Sequence, residues 1–332
     1  MQPVLIVGYG SIGRRHARNL RSLGVGPVSV YDTVPLRRDA ARQEVDARTY
    51  ETLEAALDAG PAVVFVCTPS SAHLEIAVAA AERGCHLFIE KPLTDRLGPE
   101  LQRLQSLVAA KGLVTLVACN LRFHHGPSTL KRLLDEGVIG RVVGASLEMG
   151  QYLPDWHPEE DYRRGYSASR AMGGGIVLDA IHELDYARWL FGEVQEVFCF
   201  GGKVSGLEIE TEDFASILLR FRSGCIAQVH LDYIQRAYSR WCRVIGEEGT
   251  LVWDITPGSV RRYTASAGRW QEFPPPPDYD ANAMYVAELQ HLFRCLAGAE
   301  RSVHPVEAAA AVVRIALAAR ESMTTGRTVR VS

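Results

Sequence analysis

Three spaced segments hold the residues able to do chemistry: Gly8-Tyr9-Gly10-Ser11-Ile12-Gly13, then Glu90-Lys91-Pro92, then Gly173-Gly174-Gly175 running into Asp179, His182 and Asp185. In the first, Gly8 permits a tight turn, Gly10 lets backbone approach a pyrophosphate, and Gly13 lets the following helix pack on its strand. Phosphates then sit on the helix N-terminus, where unpaired N–H groups favour negative charge. Asp32 closes the next strand, where a carboxylate can accept hydrogen bonds from adenosine ribose hydroxyls and would repel a 2'-phosphate. That favours NAD over NADP. The same aspartate could simply cap a turn, and Arg37 and Arg38 lie close enough in sequence to reach a phosphate.

Lys91 follows an apolar strand and precedes Pro92, which holds the chain extended or in a cis peptide at the carboxyl edge of the sheet. Ligands bind at that edge in open α/β sheets. In the third segment the pattern predicts one helix from Ile176 to Leu190, with Asp179, His182 and Tyr186 at i, i+3 and i+7 on one face. An imidazole suits proton removal from an alcohol as hydride leaves the same carbon, a nearby carboxylate can orient it, and a lysine ammonium can polarise the oxygen. A helix histidine satisfied by packing, or by Asp185, is the plainer account. The three glycines would remove side chains where a polyol approaches backbone.

The elements that must position these residues follow from periodicity. Short apolar runs at Val4–Val7, Val28–Tyr31, Ala62–Cys67, His86–Ile89 and Leu113–Ala118 alternate with helical patterns at Ile12–Leu23, Leu36–Gln43, Thr52–Ala59, Ala72–Arg83 and Pro99–Lys111. Such alternation implies a parallel, doubly wound sheet ending near residue 120. Beyond a helix at Ser128–Glu136 the texture changes to alternating strands: Arg141–Met149, Val194–Gly201, Asp213–Phe221, Cys225–Ile234, Arg240–Gly246 and Thr250–Asp254. Short turns between them imply a mainly antiparallel sheet. Helices at Asn282–Leu296 and Pro305–Thr324 and a short strand close the chain. The expected organisation is thus a Rossmann domain over residues 1–120 and an α+β domain over residues 121–332.

The bulk numbers agree. At 332 residues the chain is long enough for two cores, and 47% hydrophobic with 23% charged residues is a globular composition. A net charge of -3 without blocks of like charge points away from nucleic acid, anionic membranes and acidic tails. Seven scattered cysteines with no Cys-x-x-Cys pair read as reduced, buried thiols, and no metal is expected. The first residues run into a strand without a basic leader, and Arg314 interrupts the most apolar late stretch, so a cytoplasmic protein with no membrane anchor is expected.

At this point the chain resembles the Gfo/Idh/MocA oxidoreductase family. Beside the glycine loop, Thr68-Pro69 with His73, Glu90-Lys91-Pro92, and Gly173-Gly174-Gly175 with Asp179 and His182 are similar to the family's signatures, in the family's order. The resemblance implies a Rossmann domain joined to an α+β domain with a large open-faced sheet, a bound nicotinamide cofactor, sugars, sugar derivatives or cyclitols as substrates, and a homodimer or homotetramer. Residue by residue, Lys91 matches the catalytic lysine, His182 the proton carrier and Asp179 its acidic companion. Gly8, Gly10, Ser11, Ile12, Gly13 and Asp32 would hold the cofactor. Thr68, Pro69 and His73 would line its cleft, and Glu90 and Lys91 the nicotinamide side. One departure is that the family often places the histidine four residues after the aspartate, not three.

The stretch Gln151–Arg170 is rich in aromatic and charged residues, including Tyr152, Trp156, His157, Tyr162, Arg163 and Tyr166, which suit sugar rings and anionic groups. A solvated loop accounts for it equally well. Tyr162, Arg163, Asn120 and Arg122 join Lys91, Asp179 and His182 as candidate substrate contacts. The expected activity is NAD-dependent oxidation or reduction of a secondary hydroxyl. The competing readings are transient NAD oxidation during elimination or glycoside cleavage, and a non-catalytic NAD-binding regulator.

Overall fold

The structure is a computed structural model that describes residues 2–331 except 157, 160 and 257. It divides into two compact units, one of Met1–Cys119 with Tyr285–Ala310, the other of Asn120–Met284 with Ala311–Ser332.

The first unit contains β1 (Val4–Val7), α1 (Ser11–Ser22), β2 (Val28–Tyr31), α2 (Pro35–Val45), β3 (Arg48–Tyr50), α3 (Leu53–Asp58), β4 (Val63–Val66), α4 (His73–Glu82), β5 (His86–Glu90), α5 (Pro99–Lys111) and β6 (Thr115–Ala118). Its six strands are all parallel, in the order β3-β2-β1-β4-β5-β6. The central strands VLIV and VVFV are buried at every position, as strands covered on both faces must be. The helix Asn282–Leu296 returns to this unit and places Leu289 and Leu292 in its core beside Val4, Ile6, Leu20 and Phe65. The segment after it also covers the edge at β6: the Val117 N–H donates to the His304 carbonyl at 2.9 Å, and the Val306 N–H to Thr115 Oγ1 at 3.1 Å. An edge strand treated this way offers no free ladder to another chain.

The second unit contains α6 (His125–Asp135), β7 (Val142–Gly150), α7 (Ile176–Asp179), α8 (His182–Phe191), β8 (Val194–Gly202), β9 (Phe214–Phe221), β10 (Ile226–Asp232), β11 (Ser239–Gly246), β12 (Gly249–Asp254), β13 (Val260–Thr264) and β14 (Arg269–Phe273). With Asn282–Leu296 as α9, the chain closes through α10 (Val306–Thr325) and β15 (Val329–Arg330). The nine strands run β14-β13-β12-β11-β7-β10-β9-β8-β15, antiparallel except for the β7–β10 pair. Burial alternates along β9 and β10, so Ile217, Leu219, Val229 and Leu231 pack inward. The opposite face leaves Phe200, Leu218, Ile226 and Ile245 exposed, and strand register puts all four on that same face. The sheet is therefore open on one side.

All seven cysteines are buried and none forms a disulfide. Among the described residues no helix is long and apolar enough to cross a membrane.

Candidate active site

In the first unit the glycine loop joins β1 to α1. Gly8 sits at φ +96°, where only glycine is unstrained, and a Cβ there would lie 2.7 Å from the Cys67 carbonyl oxygen. A Cβ on Gly13 would overlap the Gly8 carbonyl. Gly10 differs. Its φ of -74° suits any residue, and among the described residues nothing lies within 4 Å of where its Cβ would be. Packing within the protein therefore does not explain this glycine, and close approach of a ligand does. Gly10 is also the cap residue of α1, and among the described residues no side chain caps that end, so its N–H groups remain available to an anion. The loop fits a dinucleotide pyrophosphate. Ser11 is exposed and Ile12 half-buried at the same turn.

Asp32 is 4% exposed at the end of β2. One carboxylate oxygen accepts the Tyr9 N–H at 2.7 Å, the other the Val34 N–H at 2.8 Å, and Arg37 stands 3.6 Å away. The carboxylate thus fixes the glycine loop and caps its own turn, with lone pairs left over for ribose hydroxyls. Arg38 donates to the backbone carbonyl of Asp32.

The lysine is held from both sides. Before it, Glu90 is buried, and its Oε1 lies 2.6 Å from His16 Nε2 on α1 while its Oε2 accepts the Lys91 N–H at 3.2 Å. After it, the cis Lys91–Pro92 peptide presents the Pro92 carbonyl to His73 Nδ1 at 2.8 Å. His73 Nε2 is 2.8 Å from the Thr68 carbonyl, so the imidazole lies between the loop after β4 and the loop after β5, a neutral ring donating to one of the two carbonyls at a time. His73 is 1% exposed. Burial lowers its pKa, opposed by the two carbonyls and by the charges of Glu90 and Asp95. It shapes the edge of the sheet from beneath. Thr68 is half-buried and Pro69 exposed on that edge.

In the second unit the expected single helix is broken. Ala180 leaves helical geometry at ψ 33°, so Asp179 ends α7 and His182 begins α8, and a shared helix face does not describe them. The physical reason lies in the contacts of Asp179. Its carboxylate accepts hydrogen bonds from the Tyr166 hydroxyl, from Ser167 Oγ at 2.7 Å and from the Tyr233 hydroxyl at 2.9 Å. Burial, then the charge of Asp179, pushes the Tyr233 phenol well above its usual range, which keeps it a donor. Asp179 and His182 are both buried. Next to His182, Glu183 is fully buried and ion-paired with Arg240 at 2.8 Å.

Two of the three glycines before α7, Gly174 and Gly175, are not an open approach. A Cβ on Gly174 would overlap the carbonyl oxygens of Tyr166 and Ser167, and Gly175, at φ +109°, lies against Glu212 and Arg320. Arg320 Nη2 donates to the Gly174 carbonyl at 2.6 Å and to Glu212. Gly173 is left-handed at φ +84°. The smallness of Gly174 lets it pack on the backbone of Tyr166 and Ser167, whose hydroxyls reach Asp179.

The remaining candidates lie in the second unit. Arg122 is buried and bidentate to Asp185 at 2.7 and 2.9 Å, its guanidinium 5.3 Å from the Trp189 ring centre, so it ties its own turn to α8. Asn120 is buried in the same turn. Arg163 pairs on the surface with Asp161 at 2.8 Å, and the Tyr162 hydroxyl accepts the Glu208 N–H. Trp156 stacks edge-on to Tyr233, 5.3 Å between centroids, and Arg236 lies 3.6 Å over Tyr152. His157 is outside the described residues. His16, Tyr233 and Ser167 were not singled out by the sequence reading. Only their positions facing buried carboxylates reveal them.

Comparisons with known proteins agree with this geometry. Residues 3–119 match the oxidoreductase family model with an NAD-binding Rossmann fold, and residues 128–252 match the Gfo/Idh/MocA C-terminal domain. The chain is 28% identical over 350 residues to scyllo-inositol 2-dehydrogenase (NAD(+)) of Bacillus subtilis, covering 98% of this chain and 95% of that one. It is 29% identical over 262 residues to myo-inositol 2-dehydrogenase of Thermotoga maritima, covering 75% and 74%. Among solved structures, levoglucosan dehydrogenase in complex with NADH and levoglucosan superposes with a TM-score of 0.89 at 22% identity, covering 100% and 99%, a likeness of fold. With the two family models spanning most of its length, this chain belongs to the Gfo/Idh/MocA family of NAD-binding oxidoreductases.

Proposed function

We propose that the protein oxidises or reduces a secondary hydroxyl of a sugar, a sugar derivative (including a nucleotide-linked one) or a cyclitol, with Lys91, His182 and Asp179 serving the reacting carbon. NAD, when bound, supplies the acceptor or donor of the hydride. The lysine ammonium draws the substrate oxygen and stabilises negative charge developing there, and the imidazole of His182 takes the hydroxyl proton in the oxidative direction. Asp179, held by three hydroxyl donors, provides a fixed acidic partner. The observation that carries the reading is Lys91 at the carboxyl end of β5, fastened through Glu90 and Pro92 to two buried histidines, in a unit whose Gly10 is open to a ligand. The inositol and levoglucosan dehydrogenases among its relatives supply the substrate class.

The exposed apolar face of the nine-stranded sheet supports association of two or four copies of this chain. Light scattering would read the copy number, and a monomer at micromolar concentration would overturn that part. The composition supports a cytoplasmic location, which fractionation would test.

Reduced-nicotinamide absorbance, followed while the purified protein and NAD meet cyclitols, aldoses, uronates and nucleotide sugars, tests the activity. Lys91→Ala is expected to lower turnover on the order of a hundredfold or more, with NAD affinity nearly unchanged. Turnover that survives the substitution would remove the lysine from the reaction. Silence of the unaltered protein across the panel, with NAD bound, would favour internal redox recycling or a regulatory role.

A further inference from the structure

The buried residues of α1 are Gly13, His16, Ala17, Asn19 and Leu20, and of its two polar members His16 is the one fully enclosed, at 0% exposure. Its ring is enclosed by Phe88, Phe65 and Tyr285 at centroid distances of 4.9, 5.8 and 6.2 Å. An imidazole in an aromatic box is costly unless its polar atoms are used. The polar contact it makes is the one from Nε2 to Glu90. Among the described residues Nδ1 has no hydrogen-bond partner, so the pattern assigns the proton to Nε2, which donates to the carboxylate. The other oxygen of that carboxylate takes the Lys91 N–H. A residue of the phosphate-binding helix thereby fixes the direction of a carboxylate 74 positions away.

The location gives this anchor a consequence. In the order β3-β2-β1-β4-β5-β6 the glycine loop and Asp32 occupy the half of the sheet that takes adenosine, and β5 lies in the other half, which takes the nicotinamide end. The oxidised nicotinamide ring is a cation and the reduced ring is neutral. A carboxylate pinned at the end of β5 favours the first over the second, whereas one released to turn into solvent is screened. We propose that His16 is a positioning residue that, by pinning the Glu90 carboxylate, biases the protein toward the oxidised form of its cofactor.

This inference rests on the proposed dehydrogenase reading, yet its test needs no substrate. Dissociation constants of the full chain for NAD+ and NADH are measured separately by calorimetry, for the unaltered protein, His16→Leu and His16→Gln. In His16→Leu, affinity for NAD+ is expected to fall on the order of tenfold with NADH affected much less, so the ratio of the two constants rises. Glutamine can donate from about the position of Nε2, and His16→Gln should restore most of the original ratio. Equal weakening of both nucleotides, or no change in either, would overturn the proposal and leave His16 a packing residue. If His16→Leu fails to fold, Glu90→Gln removes the charge at nearly constant volume and must raise the same ratio; an unchanged ratio there also overturns it. Lys91→Ala that keeps full turnover would defeat the reaction assignment while leaving these ratios to decide the role of His16.

Discussion

A methyl group added at Gly10 would meet open space, whereas one added at Gly174 would overlap the carbonyl oxygens of Tyr166 and Ser167. Both glycines belong to runs that look alike on paper. Gly8 and Gly13 are closed by backbone as Gly174 is, and within the first run it is Gly10 that leaves room for something absent from the chain itself. Glycine content therefore says that backbone comes close to something, and only the neighbouring atoms say whether that something is a ligand.

The difference can be broken from either side. The largest effect is expected for Gly174→Ala, where overlap with backbone cannot be relieved by a rotamer change. Denaturant unfolding should show a loss of about 3 kcal/mol or more, and a stability change below about 0.5 kcal/mol would mean that this loop has room after all. Gly10→Ala should do the reverse. Its stability should stay within about 0.5 kcal/mol of the unaltered protein while the dissociation constant for NAD rises about tenfold or more. Tight NAD binding by Gly10→Ala would remove the pyrophosphate from that position.

A smaller, pH-dependent effect belongs to the second unit, which also holds Gly174. His124 caps α6, its Nδ1 accepting the Gly126 N–H at 3.0 Å, and it is buried against Trp253 and Tyr279. Burial, with Arg240 and His125 nearby, lowers its pKa to about 4. The unfolded chain then holds more protons at this site than the folded one between about pH 6.5 and 4. Stability from the neutral ring is complete above about pH 6.5 and is lost as pH falls toward 4, with a slope of at most about 1.4 kcal/mol per pH unit. His124→Asn, which keeps an acceptor for the cap, should flatten that slope in denaturant titrations. An identical slope would assign the acid sensitivity to other groups.

Much of this organisation was readable before any coordinates. The short apolar runs VLIV and VVFV, bounded by helical patterns, read as covered parallel strands, and the alternation in β9 and β10 reads as a sheet buried on one face. The strands β3, β13 and β14 escaped because RTY, VRRYT and RWQEF are polar segments whose pairing is set by neighbouring strands rather than by their own hydrophobicity. The break at Ala180 escaped for a related reason. Ile176–Leu190 has helical periodicity throughout, and three hydroxyls distant in sequence hold the carboxylate of Asp179 where a continuous helix would not. The glycine loop, Asp32 and Lys91 stand at the ends of β1, β2 and β5 as the sequence indicated, because that placement is local. The partners of Arg122 and His16 lie 63 and 74 positions away and leave no local trace.

The covered edge at β6 bears on how the protein is made. The segment that supplies the His304 carbonyl and the core residues Leu289 and Leu292 follows the whole of Asn120–Met284 in the chain. At a synthesis rate of ~5–20 residues per second, the nascent nucleotide-binding sheet waits roughly ten to thirty seconds for its last strand to be covered. Through that interval the unpaired groups of β6 are a template for any passing strand. Closure by so distant a segment also carries a loop entropy that local contacts cannot offset early. Newborn chains are thus most exposed to misassembly after the ligand-binding half has been synthesised and before its closing helix arrives, a period in which chaperone protection or an early-bound nucleotide has the most to contribute.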